Sequence, residues 1–276
     1  MGALVQSVSE RAGFDCGPEA LRPAMNLIRA RTIKMLEQLP VAEWESSSRC
    51  AGWSVHDVAR HIRDFALIHT ARLAGRPSPF GDDPFDPRSS PAQWLRHSEG
   101  TPTTQTLDDL RRLAGEEAES IDRRIDDPPV RLWWSPLRRK VHWSVFSLHI
   151  FWDAWLHESD IAVALGRPVD HTELDLQAAI FYALLSAAAP HAWAGRYLET
   201  SFALAGSPSE SYRISHVGDD ITITAGPGQP ATLLANTTDL IDSLAGRGSD
   251  LQGVLTGPED VVARLGLLRK VGTVGT

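Results

Sequence analysis

The stretch HIFWDAWLHESDI, residues 149 to 161, sets His149, Asp153 and His157 four residues apart among large apolar side chains. On an α-helix such positions share one face, so the three form a row with about one turn between neighbours, bordered by Phe146 and Asp160. An isolated Asp153 carboxylate among Phe151, Trp152, Trp155 and Leu156 would cost several kcal/mol to bury, unless it is paired or coordinates a metal. A second helical stretch carries His61 beside Val58, Ile62 and Phe65, on the face expected to point inward. His61, Asp153 and His157 then offer two imidazoles and one carboxylate from two helices. That set suits zinc or another first-row divalent cation and leaves a position open to water or substrate, the mark of a catalytic site. The D-x-x-x-H pattern is short, and a satisfied core histidine, or pairing of His157 with Asp153 or Asp160, explains the same spacing.

Other residues carry weaker signals. His149, one turn from Asp153, is a candidate for cofactor contact or proton transfer, whereas His56 and His69 read as packing or surface residues. Asp57 reads as a helix cap, with orientation of His61 as the alternative. Asp160 reads as an acceptor for His157 or as a solvated helix residue. Trp152 is a candidate for lining a cofactor pocket, although aromatics at this spacing, including Trp133, Trp134, Trp143 and Trp155, are usually core. Arg247, following SLAG, serves a helix dipole or reaches a carboxylate across a domain boundary. The two cysteines, Cys16 and Cys50, build neither a disulfide framework nor a four-cysteine cluster. Neither has a basic pair beside it in sequence, so burial is expected.

The elements that must position these groups are legible in periodicity and punctuation. Helices are expected from Leu21 to the stop at Pro40, from the Ser54/Asp57 capping pair to Gly75, from Thr106 to Ile125, from Val141 to Leu165 with Gly166 beyond, and from Glu173 to Pro190. Residues 76 to 104, dense in Pro, Gly, Asp and Ser, read as a long surface connection placed to lie over a site. After residue 195, YLETSFAL, SYRISH, DITIT and ATLLA alternate like strands, followed by two helices in TTDLIDSLAGR and GPEDVVARLGLLRKVG. The expected architecture is a mainly α bundle over 1–194, followed by a small α+β domain with an antiparallel sheet over 195–276.

A net charge of −8 over 276 residues gives no basic footprint for nucleic acid or anionic membranes. The first residues lack a basic segment followed by an apolar one, and no apolar run approaches the roughly 20 residues that span a bilayer. A cytoplasmic protein with a small-molecule partner is expected.

WESSSRCAGWSVHDVARHI resembles the tryptophan, polar run and GW(S/T)V.D(V)..H entry to the second helix of the mycothiol-dependent maleylpyruvate isomerase family, part of the DinB-like helical metalloprotein superfamily. FWDAWLHESDIAVALGRPV resembles that family's E..vH..D...alG.p segment, and the tail with DLIDSLAGRGSD and LTGPEDVVARL its sterol-carrier-protein-like C-terminal domain. The resemblance implies a DinB-like bundle with metal ligands at His61, Asp153 and His157. It also implies mycothiol as thiol cosubstrate, and thiolate chemistry on an electrophilic small molecule. Transfer of the thiol is the leading expectation, with cis-trans isomerisation close behind; a non-catalytic binding protein is the rival class and a metal-dependent hydrolase ranks last. One departure stands out: the family usually has Glu where this chain has Asp153. The side chain is one methylene shorter, so coordination would need a small helix shift or help from His149, and substrate geometry is expected to differ.

Overall fold

The computed structural model describes residues 3–7, 11–12, 21–80, 89–125, 131–134, 139–193, 199–207, 211–217, 220–226 and 230–266. Strands β1 (Ala3–Ser7) and β2 (Arg11–Ala12) precede helices α1 (Leu21–Glu37), α2 (Val41–Trp44), α3 (Val55–Leu73), α4 (Ser90–His97) and α5 (Thr103–Ile125). Then come β3 (Arg131–Trp134), β4 (Arg139–His142), α6 (Trp143–Ala164) and α7 (Glu173–Trp193). The chain continues through β5 (Thr200–Ala205), β6 (Ser211–Val217), β7 (Asp220–Ala225), β8 (Leu233–Asn236), α8 (Thr237–Leu244), α9 (Leu251–Val254) and α10 (Glu259–Gly266). None of the helices described is long and apolar enough to cross a membrane.

The helical bundle and following α+β part agree with the pattern read from sequence, with five differences. The fourth expected helix begins at Trp143 rather than Val141, because Arg139–His142 pairs with Arg131–Trp134 in an antiparallel hairpin. The helix expected to stop at Pro190 runs on to Trp193. Its packed faces outweigh the one backbone bond the ring forfeits. The connection 76–104 contains α4, with a proline in its first turn, where a missing N–H costs nothing. In the six-stranded sheet, ordered β2-β1-β7-β6-β5-β8, the β5·β8 pair is parallel, and the first residues of the chain supply β1 against β7.

Alternation works in the strands as expected. Thr200, Phe202 and Leu204 of β5, Tyr212 and Ile214 of β6, and Ile221 and Ile223 of β7 are buried, while Arg213 between two of them is exposed. The capping box also forms: Ser54 Oγ accepts from Asp57 N at 3.1 Å and Asp57 Oδ2 accepts from Ser54 N at 2.9 Å. Gly75, at φ +68°, then takes the left-handed turn that ends α3.

Helix α6 is the axis of the molecule. It is apolar on every side, and a helix of that kind has to be enclosed. It packs against α1, α3 and α7, and α7 also lies on β6 and β7. One apolar cluster therefore runs from Met25 and Ile28 through Phe151, Trp155, Phe181 and Leu185 to Ile214 and Ile223.

A buried polar network fastens the helices. Arg29 of α1 donates to Glu117 of α5 at 2.7 and 3.0 Å. Glu117 Oε1 also lies 2.8 Å from His69 Nδ1, and His69 Nε2 lies 2.8 Å from Ser147 Oγ on α6. Burial pushes the Glu117 pKa upward, but the Arg29 charge and the His69 bond outweigh it and hold it at about 2, against an ordinary 4.5. A lowered folded-state pKa stabilises above the unfolded value, and that contribution fades as pH falls toward 2. Glu117→Gln is therefore expected to lose about 3–5 kcal/mol at neutral pH, with the gap to wild type narrowing between pH 4.5 and 2. Urea denaturation at pH 7, 4 and 3 measures this, and a gap that does not change with pH would contradict it.

Candidate metal centre

The enclosed helix α6 fixes Asp153 and His157 one turn apart, and α3, held at its start by the capping box, brings His61 to face them. All three are buried, and their ligand atoms lie within 4.8 Å of one another. Asp153 Oδ2 is 3.6 Å from His61 Nε2, and Asp153 Oδ1 is 3.6 Å from His157 Nε2, too long for hydrogen bonds. Consequently both ring nitrogens of His61 and Asp153 Oδ2 have no hydrogen-bond partner despite their burial. The two imidazoles meet edge to face at 4.6 Å. Trp53, 5.0 Å from the His61 ring and stacked on His157 at 6.2 Å, covers one side, and Phe65, 4.6 Å from His61, covers another.

The far side of His157 is a different environment. Its Nδ1 is 3.0 Å from Asp160 Oδ2, and Asp160 accepts from Arg247 Nε at 2.8 and 2.9 Å. Arg49 Nε lies 3.7 Å from the same carboxylate, and Arg49 also donates to Asp242 at 2.9 Å. Thus Asp160, one of whose readings was a solvated helix residue, is fully buried, and Arg247 does reach a carboxylate on α6.

The charges follow from these contacts. Burial opposes a charged His157, but Asp153 and the bond to Asp160 raise its pKa to about 10. Burial likewise opposes ionised Asp153 and Asp160. The neighbouring imidazoles hold the first well below the carboxylate range, and the His157 bond with the Arg247 charge does so for the second. His61 moves the other way, because burial lowers it by more than Asp153 raises it.

The donor set fits a divalent cation. Two imidazoles and a carboxylate converge, two of the three carry buried polar atoms without partners, and Asp160 is placed to accept from His157 Nδ1 and turn Nε2 toward the cluster. Cys50, His157 and Asp160 make a second close group, but Arg247 already satisfies Asp160 there and its positive charge opposes a cation.

Other expected residues are placed as follows. His149 Nδ1 is 2.7 Å from Tyr182 Oη; the ring is half-buried, burial lowers its pKa to about 4, and it is not part of the close ligand group. Trp152 packs on Tyr182 at 5.2 Å, its buried indole N–H without a hydrogen-bond partner. Trp143 and Trp155 are core, while the side chains of Trp133 and Trp134, and all of Cys16, lie outside the described residues. His56 pairs with Thr106 at 3.1 Å, a packing role, and Asp57 caps α3 without bonding His61.

Cys50 departs from its expected burial. It is half-buried, donates to Asp160 at 3.2 Å and lies 3.5 Å from His157 Nδ1. Arg49, Trp53 and Asp242 were not singled out in the sequence either. The first two lie within the WESSSRCAGW stretch before α3, so that stretch was the available signal, whereas nothing local marks Asp242.

A family model for the mycothiol maleylpyruvate isomerase N-terminal domain matches residues 25–162. The chain belongs to that family. Among solved structures, one described as a mycothiol-dependent maleylpyruvate isomerase with a histidine-to-alanine mutation is similar at TM-score 0.54 and 16% identity, covering 88% of this chain and 93% of that one. A second structure of the mycothiol-dependent maleylpyruvate isomerase covers the same shares at TM-score 0.49 and 18% identity. At such identity the first likeness is one of fold. No curated protein matches the chain.

Asp160 is the group whose loss the site should feel most in stability, since it leaves Arg247 beside a raised His157. Asp160→Asn is expected to cost about 3–5 kcal/mol, and Arg247→Met in that background to restore part of it. Chemical denaturation of the two singles and the double measures the coupling. Strictly additive effects would mean that the two side chains do not depend on each other.

Proposed function

We propose that this chain is a mycothiol-dependent metalloenzyme that adds or exchanges a thiol on an electrophilic small molecule in the cytoplasm. The observation that carries the reading is the convergence of His61, Asp153 and His157, with buried ring nitrogens of His61 and Asp153 Oδ2 left without partners. A divalent cation held by these three, zinc in the first instance, would supply the Lewis acidity that keeps a thiol as thiolate near neutral pH. The residues around it have separable tasks. Asp160 fixes the His157 tautomer through Nδ1, and Arg247 and Arg49 keep Asp160 ionised. Trp53 and Phe65 cover the imidazoles and limit water.

A conjugated carbonyl substrate would accept a carbon–sulfur bond at its β carbon, its π electrons moving to oxygen. If that bond breaks again after rotation, the product is the trans isomer; if the sulfur stays, the product is a thiol adduct. Membership in a family described by its maleylpyruvate isomerases favours the first outcome as the second reading.

Protein purified without added metal is expected to contain a divalent cation by elemental analysis, and His61→Ala and Asp153→Ala to lose it together with mycothiol-dependent turnover. Asp153→Glu is expected to keep the metal. Maleylpyruvate absorbance followed beside mass spectrometry of thiol conjugates separates isomerisation from transfer. Cation-free protein with full thiol-dependent activity would overturn the reading.

A further inference from the structure

The three donor residues of the candidate metal centre are almost closed off from solvent, with His61 at 1%, Asp153 at 6% and His157 at 2% exposure. A thiol that reaches a cation held there needs one of the covering elements to move aside. Among the described residues, two aromatic rings from outside the donor set lie on the imidazoles. Phe65 is buried within α3 and is backed by Trp94 at 5.6 Å. Trp53 touches both His61 and His157 and is itself partly exposed, so it is the outer layer over the donors.

Trp53 sits in a loop that is closed on itself. Val55 N donates to Ser46 O at 2.9 Å, and Ser47 and Ser54 form a bridge. Ser48 donates to Trp53 O through both its N–H, at 3.0 Å, and its hydroxyl, at 2.9 Å. Trp53 N donates to Cys50 O at 3.0 Å, and Gly52, at φ +77°, supplies the left-handed turn between them. Residues 46–55 can therefore shift as a unit without giving up their own bonds.

The ties from this loop to the rest of the molecule gather at Arg49 and Cys50. Arg49 N donates to the Asp160 carbonyl at 3.3 Å, and Cys50 donates to the Asp160 carboxylate at 3.2 Å, both weak bonds. The strong tie is Arg49 Nη2 to Asp242 Oδ2 at 2.9 Å, which joins the loop to α8 of the C-terminal α+β part. Its two side chains are 23% and 29% exposed, so water competes for the pair and it can open and close. The buried Arg29–Glu117 pair could not do so at comparable cost.

We infer that residues 46–55 are a movable cover over the candidate metal centre, strapped shut by the Arg49–Asp242 pair. Asp242 is the positioning residue and acts through Arg49, so α8 governs when a thiol reaches the cation. The inference rests on the metalloenzyme reading above and adds the control of access to it.

Asp242→Asn breaks the pair, and Asp242→Glu keeps a carboxylate there. The variant at Asp242 is cleaner than one at Arg49, which also lies 3.7 Å from Asp160. Each is checked for thermal midpoint and metal content. With EDTA as chelator, Asp242→Asn is expected to lose its cation about three- to tenfold faster than wild type. Asp242→Glu should return toward wild type, and Asp242→Asn should add nothing in an Arg49→Met background. Amide exchange followed by NMR gives a readout that needs no metal. The Arg49 amide, bonded to Asp160, should exchange faster in Asp242→Asn, while the Ser48 and Trp53 amides, bonded inside the loop, hold their rates. Unchanged cation loss in Asp242→Asn, a rise in either rate without the other, or loosening of Ser48 and Trp53 along with Arg49 would overturn the proposal. Wild-type protein that holds no cation would instead remove the functional reading, and exchange at Arg49 would then decide by itself whether Asp242 straps the loop.

Discussion

Four ionisable side chains, Asp153, His157, Glu158 and Asp160, are buried within about two turns of one largely enclosed helix. Charge in such surroundings is tolerated only where an opposite charge or hydrogen bond meets it, and the compensation arrives from every direction around α6. Glu158 takes Arg31 of α1 in three contacts of 2.7 to 2.9 Å. Asp153 faces His61 of α3, and Asp160 faces Arg247 from beyond α8 and Arg49 from the loop before α3. A buried pair of this kind adds little to stability compared with a well-packed apolar pair, but losing one partner is severe. These acids therefore act mainly to dictate which elements can lie against α6, and in what register.

The compensation is uneven, and the unevenness separates structure from chemistry. Glu158 and Asp160 are met by guanidinium groups at hydrogen-bond distance, which closes their requirements. Asp153 is met only by imidazoles at 3.6 Å, and His61 has no hydrogen bond at either nitrogen. Along a helix otherwise satisfied at each charged position, the unsatisfied one is where an additional positively charged group would be accommodated. The shorter acid at position 153 lies 3.6 Å from both rings, and His149 is not among the side chains whose ligand atoms converge there.

The connection between the bundle and the sheet belongs to the same logic. Because α7 packs both on α6 and on β6 and β7, the apolar cluster passes without a break into the sheet, and α8 is carried to where Arg247 can reach α6. Without that shared packing the Arg247 guanidinium would have no fixed address, and Asp160 would be a buried charge facing an imidazole, the Cys50 thiol and a distant Arg49.

Much of this was legible along the chain because the governing interactions are local. The capping box of Ser54 and Asp57, the glycine stop at Gly75, the His149–Asp153–His157 row and the period-two burial of β5 and β6 each depend on spacing alone. Convergence of His61 with the row also followed, since an inward-facing residue on one bundle helix has few places to point. What spacing does not carry is the partner of a side chain far away in sequence. The pairing of Arg247 with Asp160, the approach of Cys50 to His157, the cover provided by Trp53, the parallel β8 edge and the joining of β1 to the sheet were decided only by packing of whole elements. Helix period and strand alternation say which face is buried, but the identity of what buries it is a property of the assembled core, and here that assembly determines which buried charges are met by a hydrogen-bonding partner and which are not.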